Sequence, residues 1–118
     1  ISCIKGRILD VLVDFRAWSH GFGNWSKVEL SFENGKQLFI PKGFLHGYVS
    51  LEPETQILYK FDQYYFPKKE FTIRFDDPYF GIKWPDFGFP YIISDRDLSA
   101  PYVSDVGTPF KERDKIDE

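Results

Sequence analysis

The sequence predicts an all-β fold of short strands, a sandwich, jelly roll or small barrel. Three observations carry this. Aromatic residues are abundant, with 13 Phe, 7 Tyr and 3 Trp making 19% of the 118 residues, and such side chains favour pleated, half-buried surfaces. Short apolar runs recur between clusters of Gly, Pro, Asn and Asp, the pattern of strands separated by turns. No segment before Asp76 shows a long helical period.

The elements follow in order. Ile8 to Phe15 reads as a mostly buried strand interrupted by Asp10 and Asp14. Ser19 to Asn24 is a Gly-rich turn containing His20. Trp25 to Phe32 alternates, with Val28, Leu30 and Phe32 on one face and Lys27, Glu29 and Ser31 on the other. Glu33-Asn34-Gly35-Lys36 carries Asn-Gly, a strong hairpin signal. Gln37 to Ile40, Phe44 to Leu51, Gln56 to Tyr65 and Phe71 to Phe75 are further strand candidates, with Pro41-Lys42-Gly43 as a breaker. Asp76-Asp77-Pro78 and Ser94-Asp95-Arg96-Asp97 each place a capping residue before a bend and can open a short helical piece. The apolar pattern fades from Asp105, dividing the chain into a domain over 1–104 and a charged tail over 105–118.

The net charge is −3 and the isoelectric point near 5.4, without the basic field of a nucleic-acid binder. A small phosphorylated ligand remains compatible, because it needs only a few well-placed cations. Cys3 stands alone, so there is no intrachain disulfide framework, and a reducing cytoplasm is the expected compartment. No apolar stretch approaches the roughly 20 residues that span a bilayer as a helix. The opening Ile1-Ser2-Cys3-Ile4-Lys5 has no signal-peptide pattern and begins inside an apparent strand.

Few residues carry chemistry. His46 sits where Pro41-Lys42-Gly43 leads into an apolar strand and reads as a core histidine, a general acid or base, or a metal ligand. No clustered His and carboxylate spacing accompanies it, so no metal is expected. Asp10 and Asp14, four apart in one strand, share a face that either meets water or lines a wet cavity. Tyr59, Phe61, Gln63 and Tyr65 share a face in an extended chain, and a cavity tyrosine can donate or accept a proton.

Longer strings point further. Gly6-Arg7-Ile8-Leu9-Asp10-Val11-Leu12-Val13-Asp14, Phe22-Gly23-Asn24-Trp25, Gln37 through Tyr48, Tyr59-Lys60 with Asp62 to Tyr65, Arg74-Phe75-Asp76-Asp77-Pro78, Gly81-Ile82-Lys83-Trp84-Pro85 and Ser94-Asp95-Arg96-Asp97 resemble the dTDP-4-dehydrorhamnose 3,5-epimerase family in order and spacing. The match corresponds to roughly the C-terminal two-thirds of a family member. The resemblance implies a cupin-type jelly roll (double-stranded β-helix) with short C-terminal helical pieces, working in the cytoplasm as a homodimer without metal or cofactor. It implies an isomerase acting on a nucleotide-sugar substrate, a dTDP-linked 4-keto-6-deoxyhexose of cell-surface polysaccharide synthesis. Tyr59 corresponds to the acid that reprotonates the sugar, and Asp97 to the aspartate that orients the catalytic histidine. His46, Asp10 and Tyr65 correspond to substrate-binding residues of the same cavity.

The departures lie at the start. The family's base is a His in an Arg-Gly-Leu-His motif, which the sequence lacks. A Lys-Leu-Val-Arg string normally precedes the Gly of Gly6-Arg7-Ile8, and here Ser2 stands in place of its Arg. An upstream segment is therefore expected to be missing, leaving these residues alone weakly active or inactive. An epimerase for another nucleotide-linked keto sugar or a heptose, a single-centre epimerase, and a non-catalytic sugar-nucleotide-binding relative are the alternatives.

Overall fold

A computed structural model describes residues 1–59, 72–88 and 90–108. These form β1 (Ser2–Lys5), β2 (Arg7–Asp14), β3 (Trp25–Ser31), β4 (Phe44–Ser50) and β5 (Gln56–Leu58), followed by two short helices, α1 (Asp95–Leu98) and α2 (Val103–Val106). The strands make two antiparallel sheets, β1-β5 and β3-β2-β4. A single residue, Gly6, separates β1 from β2 and turns the chain from one sheet into the other. It has φ of +78°, and a Cβ there would stand 2.4 Å from the Thr55 hydroxyl, so only glycine makes this corner without strain.

The central position of β2 explains its near-continuous apolar run. Asp10 lies opposite Val28 of β3 and Tyr48 of β4, and Leu12 opposite Ser26 and His46. Opposed side chains share a face and successive ones alternate. Ile8, Asp10, Leu12 and Asp14 therefore occupy one face, Leu9, Val11 and Val13 the other. The first face packs against the small sheet, with Cys3, Ile8 and Leu30 buried among Val28, Leu38 and Ile57. On the second, Val11, Val13, Phe15 and Phe80 are buried and pack with Trp25, Leu45, Ile82, Trp84 and Val103. The C-terminal segment thus covers one side of the main sheet and β1-β5 the other.

Phe15 anchors the second core. It is fully buried, stacks on Phe22 at 5.4 Å and meets Phe80 edge-on at 5.9 Å. Phe15→Ala is expected to cost about 3–5 kcal/mol of unfolding free energy, a transfer plus cavity loss. Urea unfolding checks this, and a loss below about 1 kcal/mol would mean that the site collapses around the smaller side chain.

Several strand expectations change. Gln37 to Ile40 contributes only an isolated bridge, Ser2 to Gln37, with Leu38 N–H donating to Ile1 O at 2.8 Å. The segment is short and ends at Pro41, which has no N–H to extend a ladder. Thr72 to Arg74 forms no strand; Arg74 N–H instead donates to Pro101 O at 3.0 Å. Phe71 and the stretch from Lys60 to Tyr65 lie outside the described residues. Phe32 falls just past β3 and is 70% exposed. Asp76 to Phe80 makes turns rather than a helix.

The C-terminal part is pinned by two buried polar groups. Asp77 accepts from Tyr79 N–H at 2.9 Å and from Val103 N–H at 2.8 Å. The Thr108 hydroxyl donates to Phe15 O at 2.5 Å. α2 crosses the division expected at 104/105, and residues 109–118 lie outside the described ones.

Candidate functional site

The site is built on the first face of the main sheet. Asp10 is completely buried there, and an isolated buried carboxylate costs several kcal/mol unless another group compensates. His46, displaced diagonally on β4, approaches it with Nδ1 3.5 Å from Asp10 Oδ2, and an imidazole there offsets the carboxylate only when protonated. This is an ion-pair distance without hydrogen-bond geometry, because neither carboxylate oxygen accepts a hydrogen bond from the described residues. Asp10 therefore holds spare acceptor capacity inside a low-dielectric notch, a feature that calls for explanation in a native structure. The His46 side chain is 27% exposed, reaching from the buried carboxylate toward the open side.

Tyr59 follows β5 and completes the notch. Its ring lies 6.1 Å from that of His46, at 63°. Burial pushes the phenol well above the usual tyrosine range, and the neighbouring Tyr48 and the Asp10 carboxylate push it the same way. Tyr59, like an ordinary phenol, is a protonated donor at neutral pH, and its titration lies further above that range. His46 and Tyr48 are two residues apart in β4, so both point to this face. Tyr48, to which the sequence assigned no role, adjoins Tyr59 and contributes to its upward shift; the two-residue spacing after His46 was the available signal.

These groups open into a trough of about 2060 Å³ running along β4, lined among the described residues by His46, Tyr48, Tyr59, Arg74, Arg96 and Asp97, with apolar neighbours. That exceeds the roughly 300–1,000 Å³ of closed ligand pockets, as fits an open groove. Asp97 stands exposed on α1. Its N–H donates to the Ser94 hydroxyl at 3.2 Å, the N-cap expected from Ser-Asp-Arg-Asp. Asp97 has no histidine partner among the described residues, and the ion pair of His46 is with Asp10. Tyr65 lies outside the described residues. His20 is exposed in its turn.

Asp14, on the same face as Asp10, is occupied differently. Burial alone would raise its pKa, but the Arg16 guanidinium at 3.0 Å and the Ser19 hydroxyl hold it below the usual carboxylate range. It is a structural pin at the end of β2. Among the described residues no group of three or more His, Cys, Asp or Glu could hold a metal ion, and no helix is long and apolar enough to cross a membrane.

Fold and notch together define a β-domain whose cavity wall brings a carboxylate, an imidazole and a phenol together. Residues 1–105 match the family model described as dTDP-4-dehydrorhamnose 3,5-epimerase. The dTDP-4-dehydrorhamnose 3,5-epimerase of Salmonella typhimurium is 44% identical over 103 residues, covering 87% of this chain and 56% of that protein. The rmlC epimerase of Mycobacterium tuberculosis superposes with a TM-score of 0.84 at 33% identity, over 89% of this chain and 53% of that one. The dTDP-6-deoxy-D-glucose-3,5-epimerase of Legionella pneumophila, solved in complex with dTDP-4-keto-L-rhamnose, superposes at 0.77 with 36% identity, over 89% and 55%. The chain belongs to the dTDP-4-dehydrorhamnose 3,5-epimerase family and has its cupin-type jelly-roll fold. It spans about half the length of the relatives it matches, less than the two-thirds expected from the motifs.

Proposed function

We propose that the whole protein inverts C3 and C5 of a dTDP-linked 4-keto-6-deoxyhexose, with Tyr59 as the acid. The observation that carries this is the position of the Tyr59 phenol in the trough wall, its ring 6.1 Å from that of His46, in a chain of this family. Both carbons flank the C4 ketone, so removal of either hydrogen gives an enolate, and a donor on the opposite face completes inversion. A phenol that stays protonated at neutral pH is suited to that return step. The imidazole of His46, braced by Asp10, and the Tyr65 phenol bind the sugar, and donors around the enolate oxygen stabilise its charge.

The base in this reading is the histidine of an Arg-Gly-Leu-His motif that the 118 residues do not contain, supplied by chain outside them. Asp97, at the trough wall, fixes that histidine's tautomer and stabilises its imidazolium. The family resemblance supports a cytoplasmic homodimer, and this part of the proposal rests on the resemblance alone.

Deuterium uptake from heavy water into dTDP-4-keto-6-deoxyglucose, followed by NMR, tests the assignment. These 118 residues and an N-terminally extended version are compared. Label at C3 and C5 with the extended version only is the expected result. Label at one carbon would make the protein a single-centre epimerase. No label from either version, with the nucleotide sugar still bound, would point to a binding module.

A further inference from the structure

α1 is too short to hold itself in place. It has four residues, Asp95–Leu98, whereas isolated helices below about 12–15 residues are marginal in water. Its local caps close only part of its backbone, through Ser94 and the Ser99 hydroxyl, which donates to Asp95 O at 2.8 Å. Other elements must therefore decide where α1 sits.

Arg74 supplies part of that restraint. Its Nη1 donates to Leu98 O, the last carbonyl of α1, at 2.7 Å, satisfying a group that a helix end leaves open. The other donors of the guanidinium fork grip Asp76, Nε at 2.8 Å and Nη2 at 3.0 Å, which fixes the fork's plane. The guanidinium lies 5.3 Å over the Tyr102 ring, and Arg74 N–H donates to Pro101 O at 3.0 Å. One residue thus holds the chain at 98, the end of α1, and at 101 and 102 just past it. On the helix itself, Arg96 Nη2 donates to Thr72 Oγ1 at 2.9 Å. The segment 72–74 is consequently a strap against which α1 is seated, and the trough is lined by both.

We propose that Arg74, braced by Asp76, is a positioning residue that holds α1, and with it Asp97, at the trough wall; the catalytic half of this rests on the role given to Asp97 above. The fork geometry matters because a lysine ammonium can reach Leu98 O but cannot also grip Asp76 in a fixed plane.

The test uses the whole protein with Arg74→Leu and Arg74→Lys, each alone and combined with Asp97→Asn. Amide hydrogen exchange is read at Ser99 and Ala100, whose N–H groups donate to Asp95 O and Asp97 O, alongside kcat and KM. Arg74→Leu is expected to speed exchange at both amides about tenfold or more, as local opening becomes easier. It should lower kcat about tenfold with KM nearly unchanged, yet cost less than about twofold once Asp97 is already Asn, because the two act through one group. Arg74→Lys, the milder variant, should fall between wild type and Arg74→Leu in both readouts. Wild-type exchange at Ser99 and Ala100 in both Arg74 variants would overturn the strap. Equal fold losses in the two Asp97 backgrounds would overturn the action through Asp97. Undiminished turnover in Asp97→Asn would instead remove the role given to Asp97, leaving the exchange data to judge the strap alone.

Discussion

Asp97→Asn in the whole protein is expected to lower kcat by roughly 10²–10⁴-fold while KM stays within a few-fold. The amide keeps the size of the carboxylate, and Asp97 is exposed on α1 with its N–H capped by Ser94, so folding should survive. In the proposed dyad, what disappears is the negative charge that would stabilise an imidazolium as the base takes up a proton, together with the acceptor that would select its tautomer. A loss confined to kcat marks an interaction made in the transition state rather than in binding. Steady-state kinetics on the dTDP-4-keto sugar decides, and a wild-type kcat would dissolve the proposed histidine–aspartate dyad.

Tyr59→Phe should be similarly damaging, at roughly 10²–10⁴-fold in turnover, and more informative about stereochemistry. The ring and its contact with His46 at 6.1 Å are retained, so the nucleotide sugar should still bind. Without the hydroxyl, proton removal can proceed while return to the opposite face fails. Solvent deuterium should then enter the sugar with the original configuration preserved, or only one carbon should invert. The raised phenol adds a pH test. As the proposed acid, Tyr59 must be protonated to act, and burial with Tyr48 and Asp10 nearby shifts its titration upward. Turnover should therefore persist through pH about 10, the ordinary tyrosine value, rather than fall there. Unchanged rate and product in Tyr59→Phe would take this residue out of the chemistry.

The strands around the site were readable because their signals are local. The apolar run of Ile8 to Phe15, the alternation in Trp25 to Phe32, and Pro41-Lys42-Gly43 before Phe44 all mark strands that form as β2, β3 and β4. Ser94 caps α1 as Ser-Asp-Arg-Asp indicated. The Asn34-Gly35 signal also turns the chain, with φ of +61° at Gly35 and Asn34 Oδ1 accepting from Ser31 and Lys36 N–H. Yet no β3 hairpin ladder follows it: β3 pairs with β2, and the next segment touches Ser2 at Gln37. A turn sequence determines a reversal, and the ladder partner depends on which apolar faces find cover.

Asp10 shows the same division at the site. Its position on one face of β2 with Asp14 followed from the two-residue period, but the pattern left open whether that face met water. The structure buries both, and gives them different fates. Asp14 is surrounded by Arg16 and Ser19, near neighbours in the chain, whereas Asp10 faces His46 across the β2–β4 register. His46, Tyr59 and Asp97 could be matched to the family by motif, but their meeting along one trough could not be read from spacing. By itself the sequence determined the all-β class, the strand and turn positions and the types of group available for proton transfer, because these follow from side-chain period and backbone preference over a few residues. Only the tertiary structure decided that Asp10 is buried with acceptors unfilled among the described residues, that Tyr48 and Tyr59 adjoin it, and that Arg74 meets the end of α1. Those outcomes depend on long-range pairing, where burial summed over many distant residues outweighs any local preference.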